Sequence, residues 1–132
     1  MKKIFFFIAA LTLSFAAQAA VHTCTPAANS LSWCLTQADT LILTDGVYEE
    51  AYTISIEKPG VLIKAAEGAK PVIKLTGEWT SLQLYATITF DGITVDGTGV
   101  CYYPISAFGS DAGTYTFKNC EFTGWMYWAI SN

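Results

Sequence analysis

Between Val61 and Phe122 the chain alternates apolar and polar positions in short runs, and the pattern repeats. Leu62-Ile63-Lys64-Ala65-Ala66-Glu67-Gly68, moved forward by 27 residues, falls on Thr89-Phe90-Asp91-Gly92-Ile93-Thr94-Val95. A second step of 27 falls on Thr116-Phe117-Lys118-Asn119-Cys120-Glu121-Phe122. Three columns of this register are apolar or small: Ile63/Phe90/Phe117, Ala66/Ile93/Cys120 and Gly68/Val95/Phe122. Two are polar: Lys64/Asp91/Lys118 and Glu67/Thr94/Glu121. A fixed period of about 20–50 residues is the signature of a solenoid. The units here are short β-runs rather than pairs of long segments with a 3.6-residue period, which favours stacked coils of a β-helix over helical repeats.

The rest of the chain fits that frame. Short strands are predicted at Leu41 to Leu43, Val47-Tyr48, Tyr52 to Ile56, Val61 to Ala65 and Pro71 to Leu75. Further strands fall at Leu82 to Tyr85, Ile88 to Phe90, Ile93 to Val95, Ile105 to Ala107, Tyr115 to Phe117 and Cys120 to Phe122. Asp45-Gly46, Lys58-Pro59-Gly60, Glu67-Gly68, Asp91-Gly92 and Asp96-Gly97 punctuate them as turns. Ahead of the strands, Pro26 and Asn29-Ser30 signal a helix start. Leu31, Cys34, Leu35 and Ala38 then fall at i, i+3, i+4 and i+7, one face of a helix about two turns long. Such a helix would cover the open end of the first coil and hide its core and strand edges.

Residues 1–19 read as a secretory signal, with Lys2 and Lys3, an apolar run from Ile4 to Leu13, and a small-x-small site at Ala17-Gln18-Ala19. The expected organisation is therefore signal peptide 1–19, cap segment 20–39 and β-helix coils 40–132. Localisation follows as secreted, periplasmic or on the surface of a Gram-negative bacterium, with no membrane contact after cleavage. The formal charge of −4 includes Lys2 and Lys3, so without them it is −6. The chain contains no arginine. Nucleic acid, which needs clustered cations on its phosphates, is a poor partner for such a surface. Sulfated or highly anionic polymers fit poorly too, since bidentate recognition of those groups is arginine's work.

Four cysteines in an exported chain allow three pairings. A Cys24–Cys34 bridge would staple the cap, adding on the order of 2–4 kcal/mol. Cys120 sits in an apolar column, and whether Cys101 reaches it is open. The Lys64/Asp91/Lys118 column predicts an outer ladder of alternating sign, each exposed pair contributing about 0–1 kcal/mol.

Catalytic chemistry finds little to work with. His22 is the only histidine and lies near a terminus expected to fray, which removes nucleophile–histidine machinery. Asp91 with Asp96 or Glu121 could pair arithmetically, yet such pairs are mostly solvated surface. No Cys/His spacing fits zinc, and Asp96-Gly97-Thr98-Gly99 is too sparse for a calcium loop. No catalytic residue, metal ligand or cofactor is predicted in this chain. Aromatic residues are the better lead: Tyr102, Tyr103, Trp125, Tyr127 and Trp128, with Trp79 and Tyr85, lie in or beside turns. Flat rings in an exposed row suit sugar rings, with hydroxyls bonding at the edges. For Trp125 to Trp128 a second reading stands beside that one, namely covering the last coil or packing on a further one.

Asp39-Thr40-Leu41-Ile42-Leu43-x-Asp45-Gly46-x-Tyr48 resembles the first coil of right-handed parallel β-helix proteins of the pectate-lyase superfamily. Lys58 to Ala66, Phe90-Asp91-Gly92-Ile93 and Phe117 to Phe122 are similar to later coils of its chondroitinase B and alginate lyase group, and to related secreted Bacteroides-type domains. Ala38 departs from the glycine usual before Asp39. The resemblance implies an all-β, right-handed single-stranded parallel β-helix of about four to five coils with a short N-terminal capping helix. It also implies the N-terminal part of a secreted polysaccharide-active, lyase-like protein. In such enzymes a lysine base, an arginine and bound calcium lie on later coils, so calcium belongs to the full-length protein and this chain alone is expected to be inactive. The alternative is a non-catalytic glycan-binding or surface structural module. Met126 to Asn132 reads as the interior of another coil, so the open end is expected to pair with further coils or with a second copy.

Overall fold

The structure, a computed structural model, describes residues 20–108, 113–125, 127 and 130–131. The expected signal segment and Trp128 lie outside the described residues. The elements, in chain order, are β1 (Val21–Cys24), α1 (Ser30–Gln37), β2 (Thr40–Leu43), β3 (Gly46–Glu50), β4 (Ile54–Ile56), β5 (Val61–Ala65), β6 (Pro71–Leu75) and β7 (Leu82–Leu84). They continue with β8 (Ile88–Asp91), β9 (Thr94–Asp96), β10 (Ile105–Ala107), β11 (Tyr115–Lys118), β12 (Glu121–Thr123) and β13 (Ile130–Ser131).

Among the described residues every strand pair is parallel, and the strands sort into three sheets. Sheet A has the order β1-β2-β5-β8-β11, sheet B β12-β9-β6-β3, and sheet C β13-β10-β7-β4. From β2 onward the chain visits A, B and C in turn and returns to A three times, at β5, β8 and β11. This is the parallel β-helix that the repeat predicted.

The core is built of stacked columns. In sheet A, Leu41, Ile63, Phe90 and Phe117 occupy one register position, and the rings of Phe90 and Phe117 stack at 5.3 Å. In sheet B the column is Tyr48, Ile73, Val95 and Phe122. In sheet C it is Ile54, Leu82 and Ile105, with Ile56 over Leu84. Nearly all of these are buried, and strand-to-strand spacing brings each into contact with its equivalents.

The 27-residue register holds through sheet A from β5 to β11 and at the following corner from β9 to β12, where Glu121 pairs with Thr94. Between β6 and β9 it does not. Thr94 pairs with Val72 and Val95 with Ile73, an offset of 22 rather than 27, so Glu67 and Gly68 are not their equivalents. The cause is corner length: residues 66–70 separate β5 from β6, whereas Gly92-Ile93 alone separates β8 from β9. Gly92 turns that tight corner at φ 73 and Asn119 turns its equivalent at φ 51. Lys64, Asp91 and Lys118 do align, but the carboxylate of Asp91 accepts from the Asn119 amide at 3.1 Å. Lys74 paired with Glu49 at 3.6 Å and Lys58 paired with Asp39 are the ion pairs among the described residues.

The cap forms as expected and adds a strand. Val21–Cys24, expected to fray, pairs in parallel with Thr40–Leu43 and lengthens sheet A ahead of the first coil. Leu31, Cys34 and Ala38 of the predicted helix face are buried, and Cys34 is disulfide-bonded to Cys24. The Asp45-Gly46-x-Tyr48 run has a physical reason. The buried Tyr48 hydroxyl lies 2.8 Å from the Cys24 carbonyl and 3.0 Å from that of Thr44, tying the first coil to β1. Asp45 accepts from the Lys70 amide at 2.9 Å in the next coil. Gly46 holds φ 127, and a Cβ there would meet Pro26 Cγ at 2.5 Å. Ala38 replaces the usual glycine without strain because its backbone is extended, at φ −158 and ψ 165.

One cap residue carries no obvious sequence signal. Glu50 is 1 % exposed, and its carboxylate accepts from the Leu31 amide at 2.8 Å, at the start of α1. Burial pushes its pKa above the ordinary 4.5, and the Leu31 hydrogen bond opposes that rise. Asn29, at the helix start, spends its side chain elsewhere: its Oδ1 accepts from the Ala51 amide at 2.9 Å.

Candidate functional site

The candidate site is the outer face of sheet C. Along β4, β7 and β10 the register positions facing away from the core hold Ser55, Gln83 and Ser106, flanked by inward aliphatic residues. The floor is thus polar and uncharged. Gln83 Oε1 accepts from the Ser55 hydroxyl at 3.3 Å and from the Tyr85 hydroxyl at 3.1 Å, which leaves its amide as a donor on the floor.

Turns entering sheet C supply one wall. Trp79, Tyr102 and Tyr127 each stand three residues before the first residue of β7, β10 and β13, and those first residues, Leu82, Ile105 and Ile130, are partners in the ladder. The three rings therefore occupy one column carried by successive coils. Trp79 and Tyr102 have centroids 4.8 Å apart, and Tyr102 and Tyr127 5.1 Å apart. Backbone bonds continue the ladder through these turns. Tyr102 N donates to Glu78 O at 2.9 Å, and Tyr127 N donates to Tyr102 O at 3.4 Å. Tyr103 joins the row, 6.2 Å from Tyr127 and inclined at 25°. Cys101 anchors the middle turn: its thiol is fully buried and donates to Thr80 O at 2.9 Å, and burial pushes its pKa up, away from reactivity.

Turns leaving sheet C supply the opposite wall. Tyr85 and Phe108 stack at 5.1 Å and 15°. Between the walls lies a groove of about 350 Å³ lined by Trp79, Ser81, Gln83, Tyr103, Ser106 and Phe108. Trp79 is 71 % exposed and Tyr127 63 % exposed, so their faces are open to solvent.

Of the expected sugar-binding residues, Tyr102, Tyr103 and Tyr127 come together, joined by Trp79. Trp125 is half-exposed and has no ring partner among the described residues. The floor residues Ser81, Gln83 and Ser106, and Phe108, were not expected. For Gln83 and Ser106 the signal was the neutral polar residue at the centre of Leu82-Gln83-Leu84 and Ile105-Ser106-Ala107, as in Ile54-Ser55-Ile56; Ser81 and Phe108 carried none.

Other chemistry is otherwise engaged. His22, Cys24 and Cys34 lie close enough to hold a metal, but the cysteines are bonded to each other and the imidazole packs edge-on against Trp33 at 5.2 Å. Asp96 is pushed up by burial, yet the Thr98 hydroxyl and amide, the Thr123 hydroxyl and Lys74 together hold it below the ordinary range. That carboxylate closes its own turn. Cys101 and Cys120 are unpaired thiols, Cys120 donating to Lys118 O at 3.2 Å. No described helix is long and apolar enough to cross a membrane. Compared with protein-family models, curated proteins and solved structures, the chain gives no match.

Proposed function

We propose that this chain is an exported glycan-binding β-helix whose binding face is the outer side of sheet C. The observation that carries the reading is the column of Trp79, Tyr102 and Tyr127, repeated coil by coil beside a floor of serine and glutamine. Rings offer flat apolar faces for pyranose C–H groups, and amides and hydroxyls bond the sugar edges. Among the described residues those lining the groove include no carboxylate, amine or imidazole, a lining suited to holding a polymer rather than to moving its protons. A parent polysaccharide lyase with its catalytic centre on other coils is the second reading, supported by the Asp39 to Tyr48 coil motif.

Affinity electrophoresis in gels containing plant, algal and animal polysaccharides tests the proposal. At least one polymer should retard the protein, and Trp79→Ala with Tyr103→Ala should restore free mobility. Equal mobility in every gel would end the glycan reading.

A further inference from the structure

We infer that the groove on sheet C takes a neutral polysaccharide and not a uronate or sulfated one; this rests on the glycan reading and names its ligand class. The argument is the distribution of charge over the three faces. The chain has no arginine, and beyond Lys3 its cations are Lys58, Lys64, Lys70, Lys74 and Lys118. Lys64 and Lys118 lie on sheet A and Lys74 on sheet B. Lys70 stands at the corner leading into β6, where its amide is bonded to Asp45. Lys58, in the turn between β4 and β5, is paired with Asp39 beside sheet A. None stands on a strand of sheet C or lines the groove.

The consequence for an anionic ligand is direct. A carboxylate or sulfate entering the groove would lose water and find, among the described residues, hydroxyls, one amide and ring faces but no cation. Its field would meet a chain whose net charge without Lys2 and Lys3 is −6, and Glu78 adjoins Trp79 on the wall. Aromatic faces carry partial negative charge, which disfavours an anion laid against them. A neutral hexose chain meets none of these penalties. Its apolar ring faces match Trp79 and Tyr103 on the groove wall, with Tyr102 and Tyr127 continuing the row, and its hydroxyls can exchange donors and acceptors with Gln83 and the serines. The three rings belong to three successive coils, so the ligand they fit is a chain running along the solenoid axis rather than a single sugar.

The test titrates the protein against two panels at low and high salt. The neutral panel is mixed-linkage β-glucan, galactomannan and xyloglucan; the anionic panel is polygalacturonate, alginate and chondroitin sulfate. The expected result is binding to a neutral polymer that is insensitive to salt, with at least a tenfold loss in Trp79→Ala, whose exposed side chain leaves folding unaffected. Gln83→Lys, which sets a cation on the floor, should weaken the neutral ligand and gain measurable salt-dependent binding to polygalacturonate. Binding to an anionic polymer in preference to every neutral one, abolished by Trp79→Ala, would overturn the neutral class and leave glycan binding standing. Binding to neither panel would overturn both.

Discussion

Sheets B and C bury equivalent columns and present opposite exteriors. Inside, Ile73 on B and Leu82 and Leu84 on C are all fully or almost fully buried between neighbours of the same kind. Outside, sheet B stacks Glu49, Lys74, Asp96 and Thr123 in one column, while sheet C stacks Ser55, Gln83 and Ser106 under a fringe of aromatic rings. The alternating column on B neutralises itself: Lys74 pairs with Glu49 and also lowers the pKa of Asp96. The column on C carries no charge, and Gln83 Oε1 accepts from the Ser55 and Tyr85 hydroxyls. One backbone thus carries a face closed by its own ion pair and the face proposed for the glycan, and the difference lies in the outward residues of the strands together with the aromatic residues of the turns beside sheet C.

The comparison can be broken at its buried side first. Ile73→Ala and Leu84→Ala should each lower unfolding free energy by about 2–5 kcal/mol in urea titrations. A marked inequality would show that the two sheets do not share one core.

Glu50 separates B from C in another way, because it places a carboxylate in the interior beside the cap. Its folded pKa is raised by burial, so its contribution to stability is fully present below the ordinary 4.5 and is lost as pH rises through the folded value. Glu50→Gln keeps an acceptor for the Leu31 amide and removes the charge. Its melting temperature should match the parent in acid and exceed it increasingly as pH rises through that window. A variant less stable than the parent at neutral pH would mean that the charged cap outweighs desolvation.

The outer faces should then answer in opposite currencies. Trp79→Ala should change stability by no more than about 0.5 kcal/mol while reducing polymer binding. Smallest of all, Lys74→Ala should cost at most about 1 kcal/mol, a loss that shrinks in high salt, and should leave polymer binding unchanged. A binding defect from Lys74→Ala would put ligand contacts on sheet B.

Much of the scaffold was legible because coils stack like on like. Ile63, Phe90 and Phe117 were aligned by sequence because the chain between successive sheet A strands is equally long from β5 to β11. Thr94 was misaligned with Glu67 because the corner at 66–70 is longer than the one at Gly92-Ile93, and a single period cannot absorb that. β1 was missed because Val21–Cys24 has little alternation of its own and becomes a strand only through Thr40–Leu43. Glu50 reads as an ordinary exposed acid until α1 is folded over it. The aromatic residues were visible, but their grouping was not. Trp79, Tyr102 and Tyr127 follow the register of sheet C, with offsets of 23 and 25, rather than the 27 that stands out in the sequence.

That register has a consequence for length discrimination. The spacing of the rings is imposed by the peptide ladder beneath them, ~4.8 Å for each coil, and side-chain adjustment cannot change it much. A ligand with the same repeat gains one further contact for every coil it crosses. A ligand with a slightly different repeat behaves like a vernier, in phase at one ring and drifting out of phase over the next few. The solenoid would then measure the pitch of a polymer as well as its chemistry, and affinity plotted against oligomer length would tell a matching chain from a near miss.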